Sequence, residues 1–164
     1  MPTATFANHR GVVPMLWVFA GLAVLEMLAV HLFVALKWPA IGWPLTILSG
    51  LSIVWLVGWI RSWSRLPHEL LPDRLRLHMG SLRSIEVPLA QIAAIEVAPS
   101  LDRIREVKAR KLVPLAHPNR LILLTASLPG RRAVNAVAIL VDDPAAFDQA
   151  LAGKIPAQVS ALPA

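Results

Sequence analysis

The chain is expected to fold as a membrane α-hairpin followed by a small α+β module, in which about seven antiparallel strands form a barrel closed by a carboxy-terminal helix. Three observations predict this. Between Gly11 and Trp63 only Glu26, Lys37 and Arg61 carry formal charge. From Pro67 onward apolar residues alternate with polar ones instead of recurring at helical spacing. Near the end, Asp143-Pro144 opens a short amphipathic run.

The first apolar run lies between Arg10 and Lys37, and the second between Lys37 and Arg61. At ~1.5 Å per residue, ~23 to 26 helical residues reach ~35 to 39 Å and cross a hydrocarbon core of ~30 Å with some tilt. The spans are placed at about 12–36 and 39–60, within a hairpin unit of residues 1–66. A secretory signal peptide is the competing account of the first run. Its apolar stretch is too long for that, contains Glu26, and leads directly into a second span.

Arg10 precedes the first span, and Arg61, Arg65, Arg74 and Arg76 follow the second, while the turn Lys37-Trp38-Pro39 has one charge. The bias of basic residues therefore puts both termini on the cytoplasmic side. Trp38 and Trp43 are expected to mark one interface, and Trp17, Trp59 and Trp63 the other. Trp55, about one turn deeper, is assigned to packing.

Glu26 is the one acidic residue in the spans, and Ser49 and Gly50 lie at matching depth on the returning helix. An ionised carboxylate there is costly, so Glu26 is expected to carry its proton, hydrogen-bond to Ser49 or Ser52, or face another subunit. His31 lies five positions on, ~140° around an α-helix, so the pair does not share a face and no proton relay is expected. Gly42, Thr46 and Gly50 recur at four-residue spacing, the pattern that lets helices approach closely. Glu26, Gly42, Thr46, Ser49 and Gly50 are thus the helix-packing residues, within the hairpin first and in a homo-oligomer second.

Of the 16 Lys and Arg, all but Arg10 and Lys37 lie in residues 61–164, as do all but Glu26 of the 10 Asp and Glu. The module, residues 67–155, is therefore basic. Leu75, Leu77 and Met79 alternate with Arg74, Arg76 and His78, Gly80-Ser81 supplies a turn, and residues 82–87 return as a second strand. Pro88 to Gln91 interrupts the pattern, which resumes over 92–97 until Pro99-Ser100. Residues 104–115 interleave basic and apolar positions and are expected as two short strands around a basic turn. Strands follow at 121–126 and 134–141, separated by Leu128-Pro129-Gly130. The helix covers 143–152, with Asp143 as N-cap, Pro144 first, Phe147, Ala150 and Leu151 inward, and Gly153 as the stop. Residues 156–164 are expected to be a loose tail.

The segments Leu71-Pro72-Asp73-Arg74-Leu75-Arg76-Leu77 and Ile85-Glu86-Val87-Pro88-Leu89, with Ile92 and Ile95, follow the two spans. The ending is Val141-Asp142-Asp143-Pro144-Ala145-Ala146-Phe147, then Ala150-Leu151. Over about residues 10–153 this resembles bacterial membrane-anchored proteins with a pleckstrin-homology-like (PH-like) domain. The resemblance implies a PH-like barrel at the bacterial inner membrane. It brings no catalytic motif and no binding residue.

No enzymatic chemistry is expected. The histidines at 9, 31, 68, 78 and 117 are scattered, and Pro72 stands where a zinc-protease helix beginning His68-Glu69 needs its second histidine. There is no nucleophile elbow and no phosphate-cradling glycine loop. Asp142-Asp143 is explained by helix capping without a cation. With no cysteine, disulfides and thiolate metal sites are excluded, and no cofactor or metal is expected. The constellation that carries function is basic. Arg103, Arg105, Lys108, Arg110 and Lys111 outweigh Asp102 and Glu106, and Arg131-Arg132 adds a pair beside a turn. Each such charge near an anionic leaflet contributes ~1 kcal/mol. Charges guarding a sheet edge against aggregation are the competing account. Nucleic acid is not expected, because the patch lacks interleaved aromatics. The sequence thus points to a non-enzymatic membrane-anchored interaction module that recruits a protein partner or reads anionic lipid headgroups. The alternative is a subunit of a membrane transport or signalling complex assembled through the spans.

Overall fold

The computed structural model describes residues 2–128, 134–152, 154–155 and 159–160, and in it two apolar rods stand on a two-sheet module. The first rod is continuous: α1 (Val13–Glu26), a five-residue π-turn (Met27–His31) and α2 (Leu32–Lys37). The second is α3 (Pro39–Arg65). Pro14 and Pro39 sit in first turns, where a missing N–H costs nothing, and Trp38 breaks the helix between the rods at φ −139°. The rods, of 25 and 27 residues, are long and apolar enough to cross a membrane. Only 6% of each apolar window is buried, so neither is the core helix of a water-soluble fold. The rods meet at Gly42, where an added Cβ would stand 2.7 Å from the Ala35 nitrogen.

A short strand, β1 (Ala4–Phe6), precedes the first rod and pairs antiparallel with β2 (His68–Leu70), which follows the second. The hairpin is therefore stitched shut at its base. The first sheet continues through β3 (Arg74–Met79) and β4 (Arg83–Pro88), in the order β1-β2-β3-β4. Alternation in β3 is as expected: Leu75 and Leu77 are fully buried, while Arg74 and Arg76 pair outside with Asp73, Glu86 and Glu69. A 3₁₀ turn at Leu89–Gln91 hands the chain to β5 (Ile92–Val97) in the second sheet.

Residues 104–115 depart from expectation. The first three belong to a helix, α4 (Leu101–Glu106), capped by the Ser100 hydroxyl, which accepts the Arg103 N–H at 3.1 Å. Only Arg110–Lys111 forms a strand, β6. The second sheet is completed by β7 (Arg120–Leu128), β8 (Val134–Ile139) and β9 (Val159–Ser160), in the order β6-β8-β7-β5-β9. Ile104 of α4 covers Leu121, Ala136 and Ala138 on the outer face. That second covering explains why 134–141 lacks clean alternation: a strand buried on both faces reads as a continuous apolar run.

The closing helix, α5 (Pro144–Leu151), begins as expected, with the Asp143 carboxylate accepting the Ala146 N–H at 3.0 Å. Its Phe147 meets Phe6 edge-on at 5.1 Å between ring centroids, in a core that also holds Leu70, Leu77, Val87, Ile95, Ile122 and Ile139. The Arg120 guanidinium holds α5 to the sheet, donating from Nε to Asp148 at 2.8 Å. The expected closed barrel is not formed among the described residues: the strands divide into two mostly antiparallel sheets. Within the expected loose tail, Val159–Ser160 pairs parallel to β5. The helix stop expected at Gly153 lies outside the described residues.

Candidate functional site

The hairpin docks on the module through residues from both. Val12, Leu16, Ala20, Ile60 and Trp63 bury themselves with Val113, flanked by Met79, Ala116 and Leu140. Trp63, expected at the membrane interface, is 1% exposed and belongs to this junction. Trp55, expected to pack, is 59% exposed and stacks on Trp59 with ring centroids 6.2 Å apart. Gly80, at φ +51°, turns β3 into β4 directly against α3, where a Cβ would stand 2.6 Å from Ser62 Oγ. That oxygen accepts the Ser81 N–H at 2.8 Å and donates to the Trp59 carbonyl.

Two buried polar groups tie the amino-terminal arm to the same junction. Asp142 accepts the backbone N–H groups of His9 and Arg10 at 3.2 Å, just before α1, where negative charge is favoured. Asp142 and Asp143 thus serve the starts of two different helices. Among the described residues no cluster of three or more His, Cys, Asp or Glu could hold a metal ion. His68 is fully buried and accepts the His78 N–H on Nδ1 at 3.1 Å, while Asn8 donates to the His78 carbonyl at 3.1 Å. Burial first, and the charge of His78 second, push the His68 imidazole down to about 3, against a backbone hydrogen bond to Leu140. It is therefore a neutral strut at physiological pH.

Among the described residues the basic side chains do not all line one patch. Arg103 donates to Glu96 at 2.9 Å and to Glu106 at 3.0 Å, which clamps α4 to β5. Those bonds, Glu96 first, hold its guanidinium above its ordinary range. Arg105 lies 3.7 Å from Asp102 on an exposed face. Lys108, in the left-handed region at φ +51°, lines an outer hollow beside Leu123, Leu124 and Asn135. Arg110 lines a different one, of about 240 Å³, with Ser84, Ile85, Glu86, Leu128 and Val134. Lys111 is exposed. Lys108, Arg110 and Lys111 make no ion pair among the described residues. Arg131 and Arg132 lie outside those residues.

Arg110 and Lys111 run directly into Val113, which is packed on the hairpin, so at ~3.3 Å per residue they lie within ~10 Å of that contact along the chain. Outside the hairpin the large exposed hydrophobics among the described residues are Leu82, Leu101 and Leu115. Leu82 follows the turn seated on Ser62, and Leu115 lies between Val113 and Ala116, both packed on the hairpin. The hairpin end of the module thus presents two exposed leucines, with Arg83 next to Leu82 and Lys111 four residues before Leu115 in the chain. Sequence reasoning passed over Leu82 and Leu115 because an isolated leucine carries no signal until its neighbours are seen to dock.

Higher in the hairpin, Glu26 and His31 from the first rod line a hollow of about 250 Å³ with Ser49 and Ser52 from the second. Here the structure corrects the expectation that Glu26 and His31 do not share a face: a π-turn, which bonds i to i+5, is inserted between them, and both line the same hollow. Ser49 Oγ lies 3.5 Å from His31 Nε2, and His31 Nδ1 is shut from solvent without a partner among the described residues. The small-residue stripe divides: Gly42 meets Ala35, Thr46 donates to the Gly42 carbonyl at 2.8 Å, and Gly50 has nothing within 4 Å. Compared with known proteins, the chain matches no family model, no curated protein and no solved structure.

Proposed function

We propose that the chain is a non-enzymatic, membrane-anchored interaction module of PH-like form that lies against the cytoplasmic leaflet of the inner membrane and reads anionic headgroups. The observation that carries it is the hairpin end of the module, where Leu82 and Leu115 stand beside the docked hairpin with Arg83, Arg110 and Lys111 close by in the chain. Leucines at a leaflet bury apolar area, and each cation within a Debye length of ~8 to 10 Å contributes ~1 kcal/mol. Arg103 and Arg105 contribute less, because carboxylates of the same module already offset them. The antiparallel sheets closed by α5 support the PH-like form, and the flanking charges Arg10, Arg61 and Arg65 support two spans with cytoplasmic termini.

The test is lipid enrichment. Full-length protein reconstituted in mixed zwitterionic and anionic lipid retains anionic lipid above its bulk fraction when extracted gently and analysed by mass spectrometry. Combined Arg83→Ser, Arg110→Ser and Lys111→Ser brings that fraction to the bulk value. Retention unchanged in the triple variant sinks the lipid reading and leaves recruitment of a protein partner. A subunit of a larger membrane complex is the second reading, favoured by the open Gly50 on the hairpin surface.

A further inference from the structure

The hollow in the hairpin has a donor and acceptor balance that says what fills it. Glu26 makes no hydrogen bond or ion pair among the described residues and is exposed on the hairpin surface, so the hollow opens sideways. Ser52 donates its proton to the Leu48 carbonyl at 2.9 Å, which leaves its oxygen lone pairs as acceptors. Among the described residues no Lys or Arg lines the hollow, and Arg10, Lys37 and Arg61 all stand near helix ends. The Glu26 carboxyl and the serine oxygens are therefore presented with no Lys or Arg beside them among the described residues. A charge-bearing group in such surroundings is costly unless paired.

Next to the hollow, and sharing Ser52 with it, is an apolar recess lined by Leu51, Trp55 and Leu56. Trp55 offers an exposed indole there, suited to an aliphatic stem or to the face of a cation. π-turns of the kind that places Glu26 beside His31 recur at functional sites.

We propose that Glu26, His31, Ser49 and Ser52 form an intramembrane site for a primary ammonium group carried on an apolar body, which enters from the lipid side and rests against Trp55. An ammonium brings three N–H donors and one positive charge, matching acceptors that lack both. Two sources carry that chemistry: a free amphiphilic amine, or a lysine on another membrane helix. The inference rests on the hairpin lying in lipid and is independent of the headgroup reading.

The experiment uses full-length protein in zwitterionic nanodiscs, titrated with dodecylammonium and followed by tryptophan fluorescence. The expected result is a saturable change that Glu26→Gln weakens at least tenfold, that Ser49→Ala with Ser52→Ala also weakens, and that Trp43→Phe leaves intact. Dodecyltrimethylammonium, which has no N–H donors, is expected to bind at least tenfold more weakly. In native membranes, a photo-crosslinker at Ile53, which also lines the hollow, gives a second arm. A crosslinked polypeptide lost in Glu26→Gln, without saturable amine binding, assigns the source as a lysine. Absence of both responses overturns the proposal, as does amine binding unaffected by Glu26→Gln or a trimethyl analogue that binds equally well. Glu26→Gln is close to isosteric, and a monodisperse elution profile shows that the variant is folded.

Discussion

His68 shows how one side chain links the arm before the first rod to the strands after the second. Its imidazole is held down to about 3 by burial, against 6.5 when unfolded, so the folded state keeps it neutral where the unfolded chain protonates it. Its contribution to stability is complete above pH 6.5 and is lost as pH falls from there toward 3, by at most ~5 kcal/mol. Denaturant unfolding of the reconstituted protein at pH 7 and pH 4 should show this loss, and His68→Gln should flatten it. An equal pH dependence in the variant would assign the effect elsewhere. Gly42 sets the distance between the rods in the same local way. Gly42→Leu forces α3 away from Ala35 and is expected to cost ~1 to 3 kcal/mol, whereas Gly50→Ala meets open space and stays within ~1 kcal/mol of wild type. Thermal unfolding in detergent compares the two.

Elements that act through one face were legible in the sequence, and those that depend on a second covering were not. The alternation of Leu75 and Leu77 with Arg74 and Arg76 placed β3, and Asp143-Pro144 placed the start of α5 within one residue. α4 was missed because the residues from 104 onward were read as two short strands around a basic turn. Ser100, with Leu101, Ile104 and Val107 three apart, carried the helical signal. β1 has only three residues and gains its order from pairing with β2, a contact between segments 60 and more residues apart in sequence. The expectation that Glu26 and His31 do not share a face failed for a different reason: a π-turn has no signature in composition, yet one added residue rotates everything after it. α5 depends on Arg120, whose side chain is 7% exposed and faces Asp148. Arg120→Ala leaves Asp148 uncompensated and is expected to cost ~3 kcal/mol. Hydrogen exchange should then show α5 opening before the sheets, and uniform loss of protection would contradict that role.

At the scale of the whole molecule, a hairpin whose two ends are stitched by β1 and β2 cannot swing freely relative to the module it carries. Asp142, Ser62, Trp63 and Val113 fix the junction, so insertion of the rods in lipid dictates which end of the module meets the leaflet. The absence of cysteine makes any single introduced cysteine a unique label. Spin labels at positions 25, 48, 82, 115 and 76 in the reconstituted chain, read by relaxation from lipid-soluble oxygen against a water-soluble nickel complex, test this arrangement most directly. Labels replacing Leu25 and Leu48 should report hydrocarbon, those replacing Leu82 and Leu115 the headgroup zone, and one replacing Arg76 open water. Labels at 25 and 48 that respond to nickel, or labels at 82 and 115 as wet as the one at 76, would contradict a hairpin that lies in lipid and presses the module onto its surface.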